Sequence, residues 1–586
     1  MSRPVWLKPQ PFKVPSGPGP VALDGAGGRT DLAVVLLVGA VVAALAFAVA
    51  QTFAPMSAIQ AVSLDPINLP GYAVRTVLRM LAAMVASLIF TLSYGTLAAK
   101  SKRAEVVLVP LLDILQSVPV LGYLSFTVTF FLLLFPHRVL GAELASIFAI
   151  FTSQAWNMAF SFSQALRTVP RDLDEASRAL RFSSWQRFWR LEFPFAVPGL
   201  VWNMMMSMSG GWFFVVASEA ITVGDKQIAL PGIGSYVAVA IQHENLPAIG
   251  WAILAMSCVI LIYDQLLFRP LVVWADNFRV EQTAAQSAPH SWFLQLLRQS
   301  RVMRLAARPA AYCMRLLFMA RLLNLAPALS VTPIQTRTAR IIDVVWYVAV
   351  AMGAAWIISV IVRYVAGEVD WVDFWLAARL GSFTLLRVMI LIVLASLIWV
   401  PLGVMIGLRP KLAERVQPLA QFLAAFPANL LFPLFVIPIV RFHLNPDIWL
   451  SPLMILGTQW YILFNVIAGA TAYPTDFLEA AGNFRFHGWQ WWRVAILPGI
   501  FPYYITGAIT ASGGAWNASI VSEVASWGSD HLTAHGLGAY IAEQTIAGDY
   551  PRIVLGIAVM SAIVVLFNRL LWRPLYAYGE RRFRLD

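Results

Sequence analysis

Residues 170–198 read PRDLDEASRALRFSSWQRFWRLEFPFAVP, and residues 474–502 read PTDFLEAAGNFRFHGWQWWRVAILPGIFP. Pro170, Asp172, Glu175, Ala176, Arg181, Phe182, Trp185, Gln186, Pro194 and Pro198 return as Pro474, Asp476, Glu479, Ala480, Arg485, Phe486, Trp489, Gln490, Pro498 and Pro502. Glu479 stands 304 residues after Glu175, and every other pair keeps that offset. Each copy is a polar, helix-prone loop between two long apolar segments. A short helix is expected after the helix-disfavouring proline, with Asp172 or Asp476 placed to cap it, where acidic groups are favoured. The small residue after the glutamate, Ala176 or Ala480, permits close approach of another surface. A second short helix, WQRFWR or WQWWRV, presents aromatics and arginines and ends where Pro194 or Pro498 opens the next apolar segment. One copy alone would suit an interfacial helix anchored by Trp and Arg. Two copies at one offset point instead to a partner with two matching docking sites.

The rest of the chain is a membrane sequence. Of its 586 residues 59% are hydrophobic and only 12% charged. About twenty apolar residues cross a hydrocarbon core as a helix, the form that satisfies every backbone polar group in lipid. Apolar segments fall at about 31–54, 73–98, 106–135, 140–165, 194–222 and 248–268, and again at about 341–363, 379–408, 416–440, 448–471, 497–525 and 552–571. The expected fold is therefore an all-α polytopic membrane protein of about twelve transmembrane helices, arranged as two six-helix repeats. In a soluble protein the net charge of +12 would suggest nucleic acid. Here the positive-inside rule accounts for it, and no nucleic-acid partner is expected. Cys258 and Cys313 form no disulfide framework.

Loop charges orient the chain. Lys100, Lys102 and Arg103, the arginines of the first repeated loop, those of the linker, then Arg409, Lys411 and Arg415, and the terminal ERRFRLD alternate with poor or acidic loops such as Glu368, Asp370 and Asp373. Both termini, the linker and both repeated loops are thus expected in the cytosol. Six spans per half make the repeats parallel, related by an axis along the membrane normal. The expected organisation is a Pro/Gly-rich cytosolic tail at 1–30, a first half at 31–269, a basic linker at 270–340 and a second half at 341–586. The linker interleaves arginines with Leu, Met and Phe, which suits an amphipathic helix on the anionic inner leaflet. It serves as a tether between two ancestral subunits, or alternatively as a regulatory or ATPase-docking surface.

The repeat continues past the loop. Gly210, Trp212, Ser218 and Glu219 match Gly514, Trp516, Ser522 and Glu523, and Gly232, Gly234 and Tyr236 match Gly536, Gly538 and Tyr540. These residues carry a family resemblance. Glu-Ala-Ser or Glu-Ala-Ala, followed after a helical stretch by Phe-Pro or Leu-Pro, resembles the EAA loop of type I, binding-protein-dependent ABC importer permeases. The match covers roughly 70–280 and 380–585. Pro198-Gly199 or Pro498-Gly499, Gly210 with Trp212 or Gly514 with Trp516, and Ser218-Glu219 or Ser522-Glu523 resemble the nitrate/sulfonate/taurine branch. The resemblance implies that Asp172, Glu175, Ala176, Arg181 and Trp185, with Asp476, Glu479, Ala480, Arg485 and Trp489, form coupling helices seated on ATPase subunits. It further implies two permease halves fused in one bacterial inner-membrane chain, two ATP-binding cassette subunits, an extracytoplasmic solute-binding protein and alternating access. The chain has no GxxxxGK[S/T] phosphate loop. No cofactor is expected in it, and ATP and Mg belong on the partner subunits. Arg181 and Arg485 depart from the family, which places Gly there, and so put the geometry of the turn in question.

For the substrate pathway the expectations are Glu219, Glu523, Trp212, Trp516, Asn203 and Asn517. An ionisable group within a span suggests function by default, although each glutamate could equally bond a neighbouring backbone. Two pathway carboxylates would suit a cation, whereas the family branch takes small anions such as nitrate, sulfonate, taurine or bicarbonate. Metal, thiamine-like and phosphonate importers are alternatives, and an ion-gradient-driven secondary transporter is the rival from another class. His531 and His535 have metal-ligand spacing on a helix, but flanking Gly528 and Gly536 favour an outer loop. No metal site and no catalytic constellation is evident.

Overall fold

Two runs of helices follow one order along the chain. The computed structural model describes residues 27–53, 55, 61–223, 226–278, 291–319, 336–473 and 475–582. Most of the expected tail, parts of the linker and Pro474 lie outside the described residues. In the first half Leu69–Lys100, Lys102–Ser117, Leu124–Leu134, Val139–Arg167, Phe193–Glu219 and Leu246–Tyr263 are the long helices. In the second half Trp371–Gly407, Pro410–Ala425, Phe432–Arg441, Trp460–Thr471, Leu497–Ser522 and Tyr550–Phe567 follow the same plan. Gly27–Thr52 precedes the first set and Thr336–Ala366 the second.

Among the described residues eight helices are long and apolar enough to cross a membrane, and up to ten if each of two bent pairs is one span. All twelve expected segments hold helix, but several are not continuous spans. The expected 106–135 segment breaks between Ser117 and Leu124, and the expected 416–440 segment bends by 79°. Pro119 and Pro427 stand at these breaks, where a missing N–H and a ring clash interrupt the helix. The expected 448–471 segment bends by 46°.

Four π-helical turns, Phe188–Glu192, Asp264–Phe268, Trp491–Ile496 and Asn568–Trp572, precede Pro194, Pro270, Pro498 and Pro574. In each case the carbonyl that the proline cannot use, four residues back, lies inside the wide turn. A local π turn is the expected accommodation of that lost bond.

Each half ends its central helix in a two-stranded antiparallel hairpin, which the all-helical expectation missed. Ala220–Val223 pairs with Lys226–Ala229, and Val524–Trp527 with Asp530–Thr533. The halves also exchange segments. Val120, Leu121, Leu124 and Val128 of the first half are buried in the core of the second, beside Tyr540 and Val559. Phe426, Leu430, Phe432 and Leu453 of the second half are buried with Trp212 and Tyr236 of the first. The two halves therefore share one interior.

Candidate functional site

Both repeated loops form a short helix, a tight turn and a second short helix. Arg171–Ala179 begins at Pro170 in the N-cap position, without a side-chain cap bond. This corrects the expected capping role of Asp172, which sits in the first turn, where its charge still faces the positive end of the helix dipole. Asp476 likewise occupies the first turn of Thr475–Asn483. Arg181 and Arg485 have φ of 51° and 54°. The Phe182 N–H bonds the Ser177 carbonyl and the Arg181 N–H bonds the Arg178 carbonyl; Phe486 to Ala481 and Arg485 to Gly482 repeat the pattern. Both turns are Schellman caps with arginine in the left-handed position that favours glycine. The turn geometry questioned by the sequence is therefore kept.

Asp172, Glu175, Ala176 and Arg181 are exposed, as are Asp476, Glu479, Arg485 and Trp489, while Ala480 is half-buried. Glu175 and Glu479 have no ion pair or hydrogen bond among the described residues. Trp185 differs from Trp489. It is half-buried, and its indole N–H donates to the Leu317 carbonyl of the linker at 2.8 Å.

The loops are braced by opposite means. In the first, Arg187 pairs with Asp174 at 2.6 Å and Glu192 at 3.0 Å, and Lys100 reaches Glu192 at 2.7 Å. In the second, Leu478, Trp491 and Ile496 occupy the matching positions, and all belong to the apolar core together with Leu408. Sequence comparison passed over these residues because they do not recur as identities.

Glu219 and Glu523 are structural anchors, away from the cavity described below. Glu219 is fully buried. It accepts from Thr76 Oγ1 at 2.7 Å, Arg79 Nη1 at 2.7 Å and the Gly234 N–H at 2.7 Å. Arg79 in turn forks onto both oxygens of Glu143 at 2.6 and 2.7 Å. In the second half Glu523 accepts from Thr384 at 2.8 Å, Arg387 at 3.1 Å and the Ala539 N–H at 3.1 Å. Asp447 takes the place of Glu143, 2.7 Å from Arg387. Thr76 and Arg79 were missed because their partners Thr384 and Arg387 lie 308 residues away, not 304. A Cβ on Gly232 or Gly536 would collide with the Glu219 or Glu523 carboxylate, so these repeated glycines serve close approach.

A cavity of about 770 Å³ lies where the halves meet. Of the six residues expected on a pathway, only Asn517 lines it. Its side-chain oxygen accepts from the Val120 N–H of the other half at 2.7 Å. Glu219, Glu523, Trp516 and Asn203 are not in the wall. Trp212, 1% exposed, packs edge-on against Tyr263, and Trp516 is in the core. Asn203 bonds Ser161 and the Gly199 carbonyl within the first half. Gln116, Asn157, Thr458 and Tyr461 supply polar wall, and Arg569 and Arg573 supply charge; among the described residues no carboxylate lines the cavity. His531 lies on a hairpin strand and His535 beyond it, and among the described residues no group of three His, Cys, Asp or Glu side chains could hold a metal.

Residues 91–268 and 399–584 each match the family described as binding-protein-dependent transport system inner membrane component. The chain belongs to that family, as a multi-pass permease component of an ABC importer with the permease domain present twice. It is similar to a nitrate import permease protein of Synechocystis sp., 25% identical over 201 residues, which are 34% of this chain and 68% of the relative. A bicarbonate transport system permease protein of Synechococcus elongatus is 28% identical over 178 residues, 30% of this chain and 60% of the relative. A glycine betaine/proline betaine transport system permease protein of Escherichia coli is 28% identical over 177 residues, 30% of this chain and 48% of the relative.

Proposed function

We propose that this chain forms the membrane pathway of an ATP-driven importer of a small anion. In this scheme two separate ATP-binding cassette subunits, which carry ATP and Mg, seat the two repeated loops, and an extracytoplasmic solute-binding protein delivers substrate. The chain lies in the cytoplasmic membrane with its termini, linker and repeated loops in the cytosol, as the distribution of Lys and Arg favours. The coupling role is supported by two loops that keep one turn geometry and expose unpartnered acidic residues, Glu175 and Glu479. Closure of the ATPase pair would draw both loops together and switch the shared interior between inward- and outward-facing forms.

The single observation supporting an anion is the cavity wall. Among the described residues it holds the guanidinium of Arg569 and no carboxylate. In a low-dielectric cleft of one sign, fixed charge raises the local concentration of the opposite ion. The two repeated glutamates that argued for a cation are paired with Arg79 and Arg387 instead. Nitrate, bicarbonate, sulfonate and taurine are the substrates to try, and the first two are named for similar permeases.

The test is co-purification with the cognate ATPase subunit and ATP-dependent uptake, before and after Glu175→Arg with Glu479→Arg. Loss of both complex and uptake supports coupling through the loops. An intact complex, or uptake that follows an ion gradient without ATP, overturns it in favour of a gradient-driven carrier.

A further inference from the structure

The linker helix Arg301–Met319 is held at both ends and bare between them. At its start, Asp31 of the Gly27–Thr52 helix accepts from Ser300 Oγ at 2.8 Å and from the Arg301 N–H at 2.7 Å. At its end it rests on the first repeated loop. Trp185 and Gln186 donate to the carbonyls of Leu317 and Met319 at 2.8 and 3.0 Å, and Phe318 stacks on Trp189 with centroids 4.6 Å apart.

Between these anchors, Arg301, Arg304, Arg308 and Arg315 follow a spacing of i, i+3, i+7 and i+14, which places them in one stripe at 3.6 residues per turn. Arg304, Arg308 and Arg315 have no ion pair among the described residues, and the helix contains no acidic residue. Val302, Leu305, Tyr312, Met314, Leu316 and Leu317 are all exposed. A long basic stripe beside exposed apolar side chains is the pattern of a helix lying in an anionic lipid interface. The tie to Asp31 is consistent with that position, since Asp31 opens the apolar stretch Asp31–Ala43.

We propose that this helix binds anionic lipid headgroups and, through the contacts of its end with Trp185, Gln186 and Trp189, makes the first repeated loop alone responsive to the lipid charge. The second loop cannot be held in this way. Arg493 stands where the first loop has Trp189, and Trp489 is 72% exposed. Among the described residues the two loops are thereby unequal, with such a strap on the first alone. The proposal adds lipid regulation to the importer function but does not need the ATPase to be tested.

The experiment is hydrogen exchange on the full chain in nanodiscs of phosphatidylcholine, with and without phosphatidylglycerol. Anionic lipid is expected to slow exchange several-fold in residues 301–319 and 184–193 and to leave 488–496 unchanged. Each arginine near an anionic surface is worth roughly fivefold in partitioning, so Arg304→Gln with Arg308→Gln and Arg315→Gln weakens partitioning onto anionic lipid on the order of a hundredfold and should erase the several-fold difference in exchange. Trp189→Ala with Trp185→Phe and Gln186→Ala, which removes the stack and both hydrogen bonds, is expected to keep the response of 301–319 and to abolish that of 184–193. Equal exchange in both lipids overturns the proposal, as does a loop response that survives this triple variant or appears equally in 488–496. Protection of 301–319 only when the ATPase subunit is added would make this helix a protein-docking face and would also overturn it. Failure of the chain to bind any ATPase would count against the importer function alone.

Discussion

The Arg187 guanidinium lies 2.6 Å from the Asp174 carboxylate, and at the matching positions of the other loop Trp491 and Leu478 belong to the apolar core. One loop geometry is thus held by charge in the first half and by hydrophobic burial in the second. Replacing a partly buried ion pair with well-packed apolar groups is often neutral or stabilising, whereas removing one partner is costly. Arg187→Ala leaves Glu192, 5% exposed, with Lys100 as its remaining ion-pair partner. It should cost about 1–3 kcal/mol, read as a lower melting temperature in detergent. Asp174→Leu, Arg187→Trp and Glu192→Ile together should recover most of that loss. A triple variant less stable than Arg187→Ala would show that the first loop lacks the packing space of the second.

Arg181 and Arg485 occupy left-handed backbone at φ 51° and 54°. A side chain there costs on the order of 1 kcal/mol relative to glycine. Arg181→Gly and Arg485→Gly should each raise thermal stability by about that amount. If the arginines also contact the ATPase, the same variants should lower ATP-dependent uptake while the melting temperature rises.

Glu219→Gln strips charge from a fully buried network and leaves Arg79 with Glu143 as its only carboxylate. Breaking a buried pair costs about 3–5 kcal/mol, so poor folding is expected. Glu523→Gln should be milder, because Arg387, which likewise keeps one carboxylate in Asp447, is more exposed than Arg79, 12% against 3%. Thermal melting ranks the two. Gly232→Ala and Gly536→Ala should destabilise as well, by about 1–3 kcal/mol, since the added carbon meets the same carboxylates.

Arg569 lines the shared cavity, and Asn517 ties that wall to Val120 of the other half. Arg569→Gln should reduce anion uptake several-fold at subsaturating substrate, with little change in melting temperature. Transport of nitrate and bicarbonate at wild-type rates in this variant would remove Arg569 from the pathway and weaken the case for an anion.

The sequence by itself determined the membrane class, the twofold repeat and the loops as the repeat's most polar feature. These follow from long apolar runs and from identities at a fixed offset, which are local properties of the chain. It also marked Glu219 and Glu523 as unusual, because charge inside a span is visible in one dimension. Their role was decided by tertiary structure. Thr76 and Arg79 meet Glu219 across 143 and 140 residues of chain, and a shift in repeat offset hides the matching trio. The breaks at Pro119 and Pro427 and the exchange of segments between halves likewise depend on which helices neighbour one another. Nor could residue identity show that Asp174, Arg187 and Glu192 correspond to Leu478, Trp491 and Ile496, since opposite chemistries fill the same space. Hydropathy specifies that a segment is buried in lipid or protein; only packing decides which of its faces meets a cavity, a carboxylate or the other half.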